Sequence, residues 1–309
     1  MDFNRRKFLQ SAGLLAVGSL ASSAMANHLN NFASPHVIGL QLYTVFDQID
    51  DDLSGTLSRI NGSGYREIES TFSKRGWYYG RTAKSFKTIV SDAGLVWKSH
   101  QVPAVPFKML KGFKMPMGDD GKPVVLPPMK NLKENMQQLV DEAAEGGVEY
   151  LVCAFAPNST LAETKSTIDL LNKTGEAAKK AGIQFAYYNH DMEFRIIQGK
   201  VPYQLILTET DPNNVKMELD LAWAVKGGQD PLELFKNHPG RFPLWHVKDL
   251  DSSYNNITPV GKGIIDFKSI FEAKAAAGMK HFFVEHDLSK DPFASIAISY
   301  SYLTDKLKV

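Results

Sequence analysis

Eight short runs of apolar and β-branched residues recur along this chain, each followed by sequence of helical period. They cover 37–43, 65–69, 95–100, 150–155, 183–188, 215–220, 242–247 and 281–285. Most successive starts lie about 30 residues apart, the length of one strand–helix unit. Parallel strands need a crossover between them, and the helix supplies it. Eight such units in 309 residues predict an α/β fold, a single (β/α)8 TIM barrel. An open doubly wound sheet would want a glycine-rich phosphate turn after its first strand, and Leu42-Tyr43-Thr44-Val45-Phe46 offers none.

The punctuation agrees. Gly64, Gly94, Gly147 and Gly182 stand just before strand runs, as expected of helix-to-strand joints. Segments 132–144, 161–181 and 266–277 repeat apolar residues at helical spacing, and Asp230-Pro231 opens another helix. One connection is long. Residues 102–129, after the third strand, hold six prolines and no clear period. At the C-terminal end of a barrel strand such a loop is a candidate lid.

The first 26 residues read as a targeting segment. Arg5-Arg6 precedes Phe8-Leu9 and an apolar run to Ala24, and Ala24-Met25-Ala26 makes an A-x-A cleavage site. The arginine pair points to twin-arginine export and a periplasmic location, with no stable membrane anchor after cleavage. The mature barrel is then 27–309. The segment carries three of the 35 basic and one of the 34 acidic residues, so the remainder has a net charge of −1. A nucleic-acid-binding chain needs a basic excess, so no nucleic-acid partner is expected. The single cysteine, Cys153, excludes an internal disulfide.

Barrels keep their chemistry at the C-terminal ends of the strands. Glu69, His100, His190, Asp220, His246, Lys248, Glu285 and His286 all fall at or just past those ends. Period-two alternation sorts the faces. Leu244, His246 and Lys248 share one face of the seventh strand, and Trp245 and Val247 the other. Lys216, Glu218 and Asp220 share a face of the sixth, Ala186, Tyr188 and His190 of the fifth, and Phe283 and Glu285 of the eighth. Asp220, His246 and Glu285 thus form a carboxylate–imidazole–carboxylate cluster, a mixed donor set suited to Mn²⁺, Mg²⁺, Co²⁺ or Zn²⁺. Tyr43, on the inward set with Gln41, and Trp223 offer flat faces to a bound ring. Glu69 and His100 offer hydrogen bonds to its hydroxyls. Trp245 is expected under a helix, and His281, which begins its strand, at the opposite end of the barrel.

Several stretches resemble the xylose isomerase-like barrel superfamily, the sugar phosphate isomerase/epimerase group with its inosose dehydratase-like members. They are GLQLYTV (39–45), GYREIE (64–69), YYNHDMEF (187–194), ELDLAWAVKGGQDP (218–231), HVKDLD (246–251), VGKGIIDF (260–267) and VEHD (284–287). The resemblance implies that Asp220, His246 and Glu285 ligate a divalent metal. In the family's ketose epimerases a glutamate ending the fifth strand completes the set. Tyr188 stands there in this chain, so His190 is expected as the fourth ligand, with Glu193 as second choice. Losing that glutamate removes one of two paired bases and puts a two-base epimerisation in doubt.

Proton abstraction next to a carbonyl needs one base and an electrophile. Glu285 or His190 is expected as the base, and Lys248 as oxyanion stabiliser or acid. The expected function is a metal-dependent isomerase or lyase/dehydratase acting on a keto-sugar, keto-inositol or 3-keto-glycoside. The alternatives are an epimerase of the same family and a non-catalytic periplasmic sugar-binding protein on the same barrel. Gly261-Lys262-Gly263 is either an anion cradle or a plain turn, and Trp77-Tyr78-Tyr79 serves a substrate cleft or a homo-oligomer contact.

Overall fold

A computed structural model describes residues 37–111, 115–118 and 121–309. The export segment expected over 1–26 lies outside the described residues. Eight parallel strands close into a barrel. They are β1 (Ile38–Gln41), β2 (Glu67–Ser70), β3 (Val96–Pro103), β4 (Tyr150–Phe155), β5 (Gln184–Tyr188), β6 (Val215–Asp220), β7 (Leu244–Val247) and β8 (His281–Val284). The first strand pairs with the last, Gly39 opposite Phe283. A Cβ on Gly39 would lie 2.5 Å from the Phe283 ring, so only glycine admits that ring to the barrel floor. All eight predicted strands are present. The third runs three residues further than the predicted 95–100.

Helices follow every strand, and their starts are written in the sequence. Asp52, Thr82, Asn131, Thr160, Asp220, Asp230, Asp266 and Asp291 each accept a first-turn backbone N–H in their own side chain. Such a cap satisfies a donor that the helix leaves open, worth about 1 kcal/mol. The four joint glycines all adopt positive φ. The predicted helix over 266–277 is two pieces, Phe267–Glu272 and Lys274–Ala277.

The barrel wall divides the core as alternation requires. Inside, Val152, Ala154, Ala186, Tyr188, Leu244 and Phe283 pack together. Outside, Trp245 and Val247 join the larger core under the helices. The Trp245 ring stacks on Phe235 at 5.0 Å and 3°. Truncating Trp245 to alanine would cost about 3–5 kcal/mol. At the N-terminal end, His281 meets Glu67 at 2.8 Å and Glu149 at 3.1 Å, far from the strand ends that matter below.

Candidate active site

The inward faces of six strands converge on His246. On one side of its ring, Glu69 Oε1 accepts from Gln41 Nε2 at 2.6 Å and lies 2.7 Å from His246 Nε2. Ser99 Oγ donates to Glu69 Oε2, and Gln101 Nε2 donates to Glu218 Oε2 at 2.9 Å. Glu218 Oε1 lies 3.5 Å from His246 Nε2. On the other side, His246 Nδ1 lies 2.6 Å from Glu285 Oε2 and 3.9 Å from Asp220 Oδ2. Both ring nitrogens therefore face carboxylates. Burial opposes a charged ring, but Glu218 and Glu285 outweigh it and hold the imidazole well above its ordinary pKa. Burial also pushes the Glu69 carboxyl up, Glu218 adds to the push, and His246 opposes it.

Lys248 lies above this layer. Its ammonium is 2.8 Å from Glu285 Oε2, 2.9 Å from Asp287 Oδ2 and 3.1 Å from Asp220 Oδ2. It also stands 3.4 Å from the Tyr188 hydroxyl and 5.0 Å from the Trp223 ring centre. Burial would discharge it, yet Asp220, Asp287 and Glu285 hold it charged, raising its pKa well above the ordinary value. In return, against the upward push of burial, Lys248 and His246 keep Glu285 far below the usual carboxylate range. The Tyr188 hydroxyl donates to Asp220 Oδ2 at 2.7 Å.

Over these groups opens a cavity of about 250 Å³. Tyr43, His190, Trp223, Lys248 and Glu285 line it, with Tyr188, Gln101 and Asp287. Phe72, Met109, Leu110 and Phe155 form an apolar wall, so the long loop does reach over the site through Met109–Lys111. The cavity joins charged groups on one side to apolar ones on the other, the usual composition of a small-molecule site.

Of the predicted ligands, Asp220, His246 and Glu285 come together, with donor atoms within 4.8 Å of one another. His190 does not join them. Its ring packs 4.8 Å from Phe155 and 5.0 Å from Tyr188, on the cavity wall. Glu193 accepts from the Tyr187 hydroxyl and from the His190 backbone amide, and so braces the turn after β5. Of the residues expected to bind substrate, Tyr43 and Trp223 meet the cavity while Glu69 and His100 do not. Glu69 lies beneath it, against His246. His100 points away, its Nδ1 2.7 Å from Ser70 Oγ and its ring 4.7 Å from Tyr78. The cause is register: Ile68 pairs with Trp97 but Glu69 with Ser99, which turns Ser99 and Gln101 inward and His100 outward. Trp77, Tyr78 and Tyr79 are buried, with Tyr78 and Trp77 packed on His100.

Sequence reasoning missed Asp287 and Gln101 as cavity residues. Asp287 had a signal, since it lies two positions beyond Glu285. Gln101 had none until the register of β3 was known. The amides of the Gly261–Gly263 loop serve as a cradle, but for this chain's own Asp249. Its carboxylate accepts from Leu250, Gly261, Gly263 and Ile265 at 2.9–3.2 Å.

The donor set fits a divalent metal. Asp220, His246 and Glu285 supply two oxygens and a nitrogen, and Glu69 engages the other ring nitrogen of His246, as partners of metal-bound histidines do. Five buried or half-buried carboxyl groups (Glu69, Glu218, Asp220, Glu285, Asp287) surround one imidazole and one ammonium, an oxygen-rich setting for a further cation.

Fold and site together define a (β/α)8 barrel enzyme class with an ionisable centre at the strand ends. Residues 58–297 match the family described as xylose isomerase-like TIM barrel, and the chain belongs to that family. An inosose dehydratase from Geobacillus thermodenitrificans is 28% identical over 252 residues, 72% of this chain and 78% of that protein. A sugar phosphate isomerase/epimerase structure from Parabacteroides distasonis is 29% identical at a TM-score of 0.70, covering 86% of this chain and 96% of that one. A structure of the IolI protein with a bound zinc atom, 15% identical, shares the fold at a TM-score of 0.62 over 88% of this chain and 98% of that one.

Proposed function

We propose that the chain is a divalent-metal-dependent lyase or isomerase acting on a keto-sugar, keto-inositol or 3-keto-glycoside. Dehydration next to the carbonyl is the reaction its residues support best. The observation that carries this reading is the Glu285–Lys248 pair at 2.8 Å on the cavity wall, with tyrosine at position 188. One base and one fixed cation face the substrate, where a two-base epimerisation wants a second strand-end carboxylate. Relatives named inosose dehydratase and sugar phosphate isomerase/epimerase support the class.

Glu285, kept ionised by Lys248 and His246, takes the proton from the carbon beside the carbonyl. The Lys248 ammonium, held by Asp287 beside the Trp223 ring, stabilises the enediolate oxygens as charge develops there. His190, which also lines the cavity, delivers a proton to the departing hydroxyl, which leaves as water while the C–O bond electrons go with it. Asp220, His246 and Glu285 would hold a divalent metal, which would supply Lewis-acid chemistry at the carbonyl. Tyr43 and Trp223 hold the ring by its apolar face.

The test is to incubate purified protein, metal-stripped and Mn²⁺-loaded, with inososes, free keto-sugars and 3-keto-glycosides. Product formation and solvent-deuterium uptake beside the carbonyl are followed. Metal-dependent turnover of one class, lost by about 10²- to 10⁴-fold in Glu285→Gln, is the expected result. Sugar binding with no turnover and no deuterium uptake would sink the enzyme reading and leave a sugar-binding barrel.

The chain acts, on this proposal, in the periplasm after twin-arginine export, a reading supported by Arg5-Arg6 and Ala24-Met25-Ala26. Replacing both arginines by lysine should leave uncleaved precursor in the cytoplasmic fraction. Unchanged processing would count against this route.

A further inference from the structure

Asp220 Oδ2 and Glu285 Oε2 have two suitors. They are the carboxylate oxygens nearest His246 Nδ1, at 3.9 and 2.6 Å, in one of the two buried groups whose donor atoms lie close enough to hold a divalent ion, the other being Glu69, Glu218 and His246. They are also the two oxygens that the Lys248 ammonium bridges, at 3.1 and 2.8 Å. Two cations drawn to the same lone pairs repel one another, and in a buried site that repulsion is weakly screened. Lys248 nevertheless has partners outside this pair. Asp287 Oδ2 at 2.9 Å and the Trp223 ring at 5.0 Å both lie on its cavity side. It can give up Asp220 and Glu285 and keep those two.

We propose that Lys248 is a built-in counter-cation that competes with the divalent metal for Asp220 and Glu285 and withdraws to Asp287 and Trp223 when the metal binds. This rests on the reading that Asp220, His246 and Glu285 hold the ion. Two consequences follow. The metal-free protein is spared a nest of unpaired buried carboxylates, so it folds without the ion. The same ammonium weakens the metal's hold, so the metal exchanges, and its arrival turns Lys248 toward substrate.

The experiment is calorimetric titration of Mn²⁺ into metal-stripped full-length protein, for wild type, Lys248→Met and Lys248→Arg. Lys248→Met should bind Mn²⁺ about tenfold or more tightly than wild type and gain more thermal stability from it, whereas Lys248→Arg should gain neither. Equal or weaker binding by Lys248→Met overturns the competition. No Mn²⁺ binding by either wild type or Lys248→Met would instead overturn the metal site itself. If Lys248→Met does not fold, a crystal structure of Mn²⁺-bound wild type decides. An ammonium that has left Glu285 Oε2 for Asp287 supports the proposal. One still bridging both oxygens refutes it.

Discussion

His246 Nε2 lies 2.7 Å from Glu69 Oε1, across the barrel from β7 to β2, and this contact aims the opposite nitrogen at Glu285. A carboxylate in that place fixes the ring's orientation and raises its basicity as a ligand. Glu69→Gln keeps the shape and replaces the carboxyl by an amide. It should weaken Mn²⁺ or Zn²⁺ binding by about 10- to 100-fold while the protein stays folded. Calorimetry against the wild type reads this directly, and an unchanged affinity would remove Glu69 from its orienting role.

Trp223 presents its ring to the cavity beside Lys248, with the His190 ring 6.4 Å away and nearly parallel. Removing that face takes apolar contact from any bound ring. Trp223→Ala should raise KM by about tenfold, equivalent to about 1.4 kcal/mol, with a smaller change in kcat. Steady-state kinetics on whichever substrate is turned over separates the two constants, and a loss confined to kcat would contradict a binding role.

His100 is buried, and burial lowers its pKa from 6.5 to about 3. As pH falls below about 6.5 the unfolded chain takes up a proton that the folded chain refuses. Its stabilising contribution is therefore complete above that pH and is lost progressively toward pH 3. At pH 5 the loss is about 2 kcal/mol. Thermal melts at pH 7.5 and 5 should show a steeper fall for wild type than for His100→Gln. Parallel falls would mean that the imidazole takes up its proton in the folded state as well.

Asp249 gathers four backbone amides of the loop after β7 onto one carboxylate. Asparagine has one acceptor oxygen and would turn an N–H₂ toward backbone donors. Asp249→Asn should cost about 2–3 kcal/mol, a fall of roughly 4–12 °C in Tm. A Tm within a degree of wild type, by differential scanning calorimetry, would show that water replaces the carboxylate.

Much of the barrel was legible in the chain because its signals are local. Apolar runs, helix caps such as Thr160 and Asp230, and joint glycines act within a few residues of themselves, and each element formed where they stand. Facing was legible on β6, β7 and β8, since alternation alone puts Asp220, His246 and Glu285 inward. It failed at β3. There a register shift against β2, which no local pattern announces, turned His100 away and Gln101 in.

The sequence by itself determined the eight strand–helix units, the polar strand ends and the inward set, because periodicity and capping are properties of short segments. Only the tertiary structure decided who meets whom at the centre. That Glu69 engages one nitrogen of His246 and Glu285 the other, that Lys248 bridges Asp220 and Glu285, and that His190 stays on the wall all follow from register and barrel closure. Those depend on residues far apart in the chain, 177 positions between Glu69 and His246, and their contacts exist only once the barrel has closed.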